Sequence, residues 1–367
     1  MTGKIRFGQK LKIGVAAILL FILGLGFTLG ALALISWSAW LFFCFIIVVG
    51  IIALPFAWLI NKVFFYRPPH AKVRLFNCAW FVLILLFTTL LTFPYFYLAV
   101  KSETDPLVLP QAVLSDGNKT VIFQGMVHVG SENFYKSVIY DLEEALDDGY
   151  KLYYEGVSPS TDDANKWFAD TFSGGVSLSD NYRKLADVCG VKYQLDYFAL
   201  MVHDSQAHPE RHATVDVTTS ELKNQYDSML KQDPQFAAAI TKEMEDKSKA
   251  ESMSDDTADK IFSFIQQASP NQKNMIGTLC RGFFVYALKT NSHKKPGAFD
   301  PLLIDFRNQH LAHQIEAETN NKIYITYGAG HLPGLIEILQ KSNPKWEVKS
   351  IKWIRGMTAP EHLEGQL

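Results

Sequence analysis

Two short phrases, Gly125-Met-Val-His128 and Gly328-Ala-Gly-His331, each set a histidine at the end of a strongly apolar, strand-like run. Imidazole is the commonest protein metal ligand and the usual proton shuttle near neutral pH, so two of them delivered by similar local structures point to one shared reactive centre. With 23 Gly and 10 His in the chain, roughly 0.6 occurrences of Gly-x-x-His arise by chance, so the spacing gains weight only from the elements around it. A carboxylate ends another such run, Lys151-Leu-Tyr-Tyr-Glu155. His128, Glu155 and His331 form a two-His, one-carboxylate set, the mixture that holds a divalent metal and leaves positions open for water and substrate. A metal there would lower the pKa of its water and polarise a carbonyl, giving hydrolysis; Glu155 is alternatively the general base. Arg307 is suited to grip a substrate carboxylate or an oxyanion, and Asn308 to orient water or a peptide amide. Taken singly, each is also an ordinary polar residue satisfied by a cap or a loop amide.

Other constellations are weaker. His203, His208 and His212 cluster with Asp204, but Pro209 interrupts any helix that would align the latter two, so a surface loop is expected. His310 and His313 sit three apart on a late helix, which turns one of them towards the sheet. There is no His-Glu-x-x-His, no Gly-x-Ser-x-Gly elbow, no P-loop and no dinucleotide-binding glycine fingerprint.

The elements that would position these residues are β/α units. Thr120 to Gln124 begins a buried strand ending near His128; a helix follows, with Ser131 as N-cap, Phe134, Val138, Ile139, Leu142 and Leu146 at helical spacing and Gly149 as the stop. The strand Lys151–Glu155 completes a βαβ unit, whose parallel pairing sends His128 and Glu155 to one carboxyl edge. A helix of about Asp305 to Thr319, the strand Lys322 to Tyr327, a turn carrying His331, a helix from Leu335 to Gln340 and a strand from Trp346 to Trp353 repeat the pattern. The helix start, with Asp305, Arg307 and Asn308, falls at the same rim as His331. Residues of about 158–291 read as a helical insertion, with caps at Ser179, Ser220 and Asp256, helical spacing in Ile261, Phe262 and Ile265, and a charged stretch from Glu243 to Asp256. The expected fold is thus a mixed, mostly parallel α/β domain over 120–357 with βαβ units and that insertion, ahead of a tail at 358–367.

A membrane anchor precedes it. Residues 1–100 contain no Asp or Glu, and all 37 acids follow Lys101. Three apolar stretches, about 13–36, 39–60 and 75–100, are each long enough to cross ~30 Å of hydrocarbon as a helix. The first is too long for a signal-peptide core and runs into the second after Trp37 and Ser38, so a retained helical hairpin is expected. Pro55 and Pro94 read as tolerated kinks. Lys4, Arg6, Lys10 and Lys12 before the first span, and Lys62, Arg67, Lys72 and Arg74 between the second and third, put both segments in the cytoplasm. A linker, 101–119, with Pro106, Pro110 and an Asp116-Gly117 turn, then leads into a periplasmic or extracellular domain. That part carries 37 acids against 27 bases, the other 8 of the 35 lying before it; such a balance excludes a nucleic-acid surface. Cys189 and Cys280 form a disulfide in an oxidising compartment or stay as two buried thiols.

The segments Val121-Ile-Phe-Gln-Gly-Met-Val-His128, Tyr153-Tyr-Glu155, Arg307-Asn308 and Tyr327-Gly-Ala-Gly-His-Leu-Pro-Gly334 resemble, in order and spacing, the TraB/GumN family. That family is related to the Tiki membrane metalloproteases and more distantly to erythromycin esterase and ChaN-like proteins. The resemblance spans about Thr120 to Trp353. It implies a metal-dependent catalytic set at His128, Glu155 and His331, with Arg307 as the Arg of the late helix. Met126 departs from the Thr or small residue usual after the first Gly, and three N-terminal spans are not a general family feature. The resulting expectation is a three-span protein of a bacterial inner membrane, N-terminus cytoplasmic, whose exported domain hydrolyses peptides or polypeptide segments with a divalent ion such as Zn, Mn or Co. The alternative is a membrane protein that sequesters a peptide signal or a haem-like ligand without turnover.

Overall fold

A computed structural model describes residues 7–64, 69–174, 177–251, 263–291 and 297–360. Two compact units emerge, one of residues 1–101 and 268–279, the other of 102–267 and 280–367.

The first unit holds two helices long and apolar enough to cross a membrane, Phe7–Phe64 and Pro69–Thr104, where the sequence leads one to expect three. Only 11% and 22% of their apolar windows are buried, far less than a soluble core helix would show. The difference lies at Ser38, which leaves helical geometry (φ −166°, ψ 114°) inside the first of them. Packing on both sides of that break is informative. Gly26 meets Thr89, Gly30 meets Thr88 and Thr92, Gly50 meets Trp80, and the Trp80 indole donates to the carbonyl of Ile46 at 3.2 Å. Gly26 and Gly50 would stand about 36 Å apart along an unbroken helix, whereas Thr89 and Trp80 are about 13 Å apart. The chain therefore folds back at Ser38, and small glycines let the threonine-bearing face of the other helix approach closely.

In the second unit a six-stranded sheet runs in the order β6-β4-β7-β2-β1-β8. Its strands are β1 (Val108–Ser115), β2 (Thr120–Met126), β4 (Lys151–Tyr154), β6 (His212–Thr214), β7 (Lys322–Gly328) and β8 (Glu347–Arg355); β3 (Val129–Gly130) and β5 (Lys192–Tyr193) form a separate pair. β2, β7, β4 and β6 are parallel neighbours in turn, and β1 is antiparallel to both β2 and β8. The expected βαβ unit exists, but β7 separates its two strands. The physical reason is burial: Ile323 to Tyr327 are all buried, as a strand covered on both faces must be, so β7 takes the centre. The helix Glu132–Asp147 covers one face through Phe134, Val138, Ile139 and Leu142. The helices Arg307–Ala317 and Leu332–Ser342 cover the other through Leu311, Ile315, Leu335 and Leu339.

The segment expected to be a linker contains β1. Leu109, Ala112 and Leu114 are buried, and the Asp116-Gly117 turn closes a β1–β2 hairpin, with Asp116 Oδ1 accepting from the amides of Asn118 and Lys119. Pro110 obscures this strand, yet it is accommodated because Gly125 opposite it carries no Cβ; one would stand 2.9 Å from Pro110 Cδ and 3.0 Å from Ala329 Cβ.

The insertion is mostly helical, but it also contains β5 and β6. Its caps lie two residues before the expected ones: Ser177 caps Leu178–Cys189, and Thr218 with Glu221 forms a capping box on Thr219–Gln232. Ser131 precedes its helix without a capping bond from its side chain. Gly149 ends that region with φ +82°. Asp256, Ile261 and Phe262 lie outside the described residues. Cys189 and Cys280 form a disulfide across a sequence separation of 91 residues. Removing it by the double change Cys189→Ala/Cys280→Ala should cost about 2–5 kcal/mol, read as an earlier unfolding midpoint of the full chain in detergent; an unchanged midpoint would show the bond to be incidental.

Candidate functional site

All four parallel strands release the chain at one edge, and each release delivers a polar side chain. Glu155 follows β4, still paired through its amide to Thr326 O at 3.0 Å. Asp216 follows β6 by two residues, His128 follows β2 by two, and β7 passes into a 3₁₀ turn, Ala329–His331. The fifth contributor, Arg307, enters from a π-helical turn, Pro301–Phe306, that precedes the helix Arg307–Ala317. Such widened turns are rare and recur at functional sites.

Arg307 is the hub. Its Nε donates to Asp216 Oδ1 (3.0 Å), and Nη2 donates to both Asp216 Oδ2 and Glu155 Oε1 (2.6 Å each). Nη1 makes two longer bonds, to Leu303 O at 3.3 Å and His331 Nε2 at 3.4 Å. The guanidinium also lies over the Tyr327 ring, 5.3 Å from its centre. Asp216 is wholly buried and accepts two further bonds from the amides of Val217 and Gly156. Burial alone would raise its pKa; the Arg307 bonds outweigh that and hold it below the ordinary carboxylate value. Burial likewise opposes charge on Arg307, and Asp216 reverses the effect. Glu155 is held at both oxygens, the second by the amide of Gly328 at 2.7 Å.

His331 is buried, stacks edge-on against Tyr327 and bonds through Nδ1 to Asn308 Oδ1 at 2.9 Å. Because that oxygen only accepts, the proton sits on Nδ1, and Nε2 keeps its lone pair 3.8 Å from Glu155 Oε1. Burial and then the Arg307 charge push the His331 pKa down to about 4, so the ring is neutral near pH 7. His128 differs. The residue is exposed, and its ring stacks on Tyr182, centroids 4.3 Å apart. The protein around it lowers its pKa, against an opposing pull from Glu155.

The structure thus joins Glu155, Arg307, Asn308 and His331 in direct contact, with His128 electrostatically linked to them. Two of the expected residues have protein partners of their own. Asn308 is fully buried with its oxygen committed to His331, so it sets a tautomer and does not face substrate. All of Arg307's donors already have partners, so it organises Glu155 first. Asp216 escaped the sequence reading because it lies inside the polar insertion, although the β-branched run Thr214-Val-Asp-Val-Thr218 marks a strand end. His212, expected in a surface loop, begins β6 instead, buried between Asp204 Oδ2 (2.6 Å) and the Tyr154 hydroxyl (2.9 Å); His203 and His208 are exposed. His310 is half-buried and His313 exposed.

As placed, these residues do not fit a three-ligand metal centre. Among the described residues no three His, Cys, Asp or Glu side chains gather as ligands. The atoms a cation would need, Glu155 Oε1 and His331 Nε2, are the ones Arg307 touches. Comparison of the chain with protein-family models, with curated proteins and with solved structures finds no match.

Breaking the central pair should be severe: Asp216→Ala leaves the buried Arg307 with Glu155 as its one remaining carboxylate partner and its Nε unpaired, and should cost about 3 kcal/mol, measured by chemical denaturation. The depressed His331 pKa also makes stability pH-dependent. The unfolded chain takes up this proton near pH 6.5 and the folded one only near 4, so stability falls as pH drops through that window, by at most about 3 kcal/mol. Denaturation midpoints between pH 7 and 4 should therefore slope less in His331→Gln than in the wild type.

Proposed function

We propose that this chain is a membrane-anchored hydrolase whose exported α/β domain cleaves amide bonds of peptides outside the cytoplasm. One observation carries the reading: a carboxylate fixed by an arginine and a backbone amide, 3.8 Å from the His331 imidazole and on the same rim as His128, at the carboxyl edge of four parallel strands. Neutral His128, at the solvent-facing mouth, takes a proton from water as it attacks the carbonyl carbon, and the Glu155 charge stabilises the imidazolium that results. Arg307 Nη1, whose bonds are the longest of the guanidinium, is the donor best able to turn towards the developing oxyanion. His128 then returns the proton to the leaving amine. His331, with Asn308 behind it, offers an acceptor nitrogen deeper in the site.

The membrane reading is three crossings with a cytoplasmic N-terminus. It is supported by the fold-back at Ser38, by basic residues flanking the apolar segments, and by the Cys189–Cys280 disulfide, which belongs to an oxidising compartment.

The test is cleavage of a mixed peptide library by the full chain in detergent, scored by new amino termini. His128→Ala and Glu155→Gln should each reduce the rate about 10²-fold or more. Wild-type levels of cleavage in both variants would overturn the assignment, as would a wild-type chain that retains peptides without cutting them.

A further inference from the structure

Where a catalytic metal would sit in this site, the protein places a cation of its own. Asp216 accepts four hydrogen bonds, two on each oxygen: from Arg307 Nε and the Val217 amide on Oδ1, and from Arg307 Nη2 and the Gly156 amide on Oδ2. A carboxylate so occupied has no lone pair left for an ion. Glu155 has one lone pair committed on each oxygen, to Arg307 and to the Gly328 amide. His331 Nε2, the acceptor nitrogen deepest in the site, already meets Arg307 Nη1 at 3.4 Å. A divalent ion bound there at first-shell distances of roughly 2.0–2.2 Å would meet the guanidinium charge at close range in a buried setting.

We propose that Arg307 is the resident cation of this rim and Asp216 the positioning residue that locks it in place, so that the wild-type site binds no divalent metal and becomes a metal site only when the guanidinium is removed. Without Arg307, the atoms it bridges, Glu155 Oε1, Asp216 Oδ2 and His331 Nε2, lose their shared cation, and a divalent ion able to draw these two carboxylates and one imidazole inward would replace it. This goes beyond the hydrolytic reading and holds whether or not the rim turns over a peptide.

The experiment loads the full chain in detergent with Zn²⁺, Mn²⁺ or Co²⁺ alone, removes loose ions, and measures metal retained per chain. The wild type should retain no more than His331→Ala; the exposed His203 and His208 contribute equally to both. Arg307→Met should gain about one equivalent, and Arg307→Met/His331→Ala should lose that gain. Arg307→Lys, which keeps a cation, should stay at the wild-type level. The proposal is overturned if the wild type holds an equivalent that His331→Ala or Glu155→Gln removes. It is equally overturned if a folded Arg307→Met, with its disulfide intact, gains nothing. Where Arg307→Met unfolds on its own, recovery of its thermal transition on adding a divalent ion supports the proposal, and the wild-type comparison with His331→Ala decides in any case.

Discussion

The buried ion pair between Arg307 and Asp216 is the constraint around which the α/β unit is arranged. Taking both charges out of water is expensive, and the cost is offset only because every donor and acceptor is satisfied: two backbone amides reach Asp216, and Glu155, Leu303 O and His331 complete Arg307. These partners come from β4, β6, β7 and the π-helical turn. The pair therefore demands that distant stretches of chain converge within hydrogen-bonding distance. A sheet whose parallel strands all end at one edge supplies that convergence, and the central, doubly covered β7 sets the height at which it occurs.

From this centre the polarity grades outward. The Asp216 side chain is sealed, those of His331 and Arg307 are nearly so, Glu155 is partly accessible, and His128 is exposed, stacked on Tyr182. The gradient separates duties. Deep groups hold charge and tautomer, whereas the shallow pair meets water. The Asn308–His331 bond extends the same logic, since a fully buried amide oxygen decides which imidazole nitrogen keeps its lone pair.

Much of this was legible in the residues. The runs of β2, β4 and β7 are apolar, and β8 sets Val348, Ile351, Trp353 and Ile354 among charged residues, so strands were expected there, and the helical spacing of Phe134, Val138 and Leu142 located the intervening helix. Glu155, Arg307, Asn308 and His331 were expected at one rim because strand and helix directions send them there. What escaped had physical causes. Strand neighbours are not written in any one segment, so the insertion of β7 between β2 and β4 was invisible. β1 carries a proline, and its tolerance depends on a glycine in another strand. β6 spans only three residues within polar surroundings, which hid Asp216 and the buried His212 together. Side-chain roles were harder than side-chain positions: that Arg307 is saturated by its neighbours follows from hydrogen-bond geometry alone.

The disulfide has a consequence of a different kind. Cys189 and Cys280 bracket most of the helical insertion, including β6 and the buried carboxylate that follows it. A protease that cuts the chain once anywhere between them releases no fragment while that bond is intact. The strand bearing Asp216 then remains covalently tied both to the half that carries Glu155 and to the half that carries Arg307, so the clipped molecule survives as one covalent body.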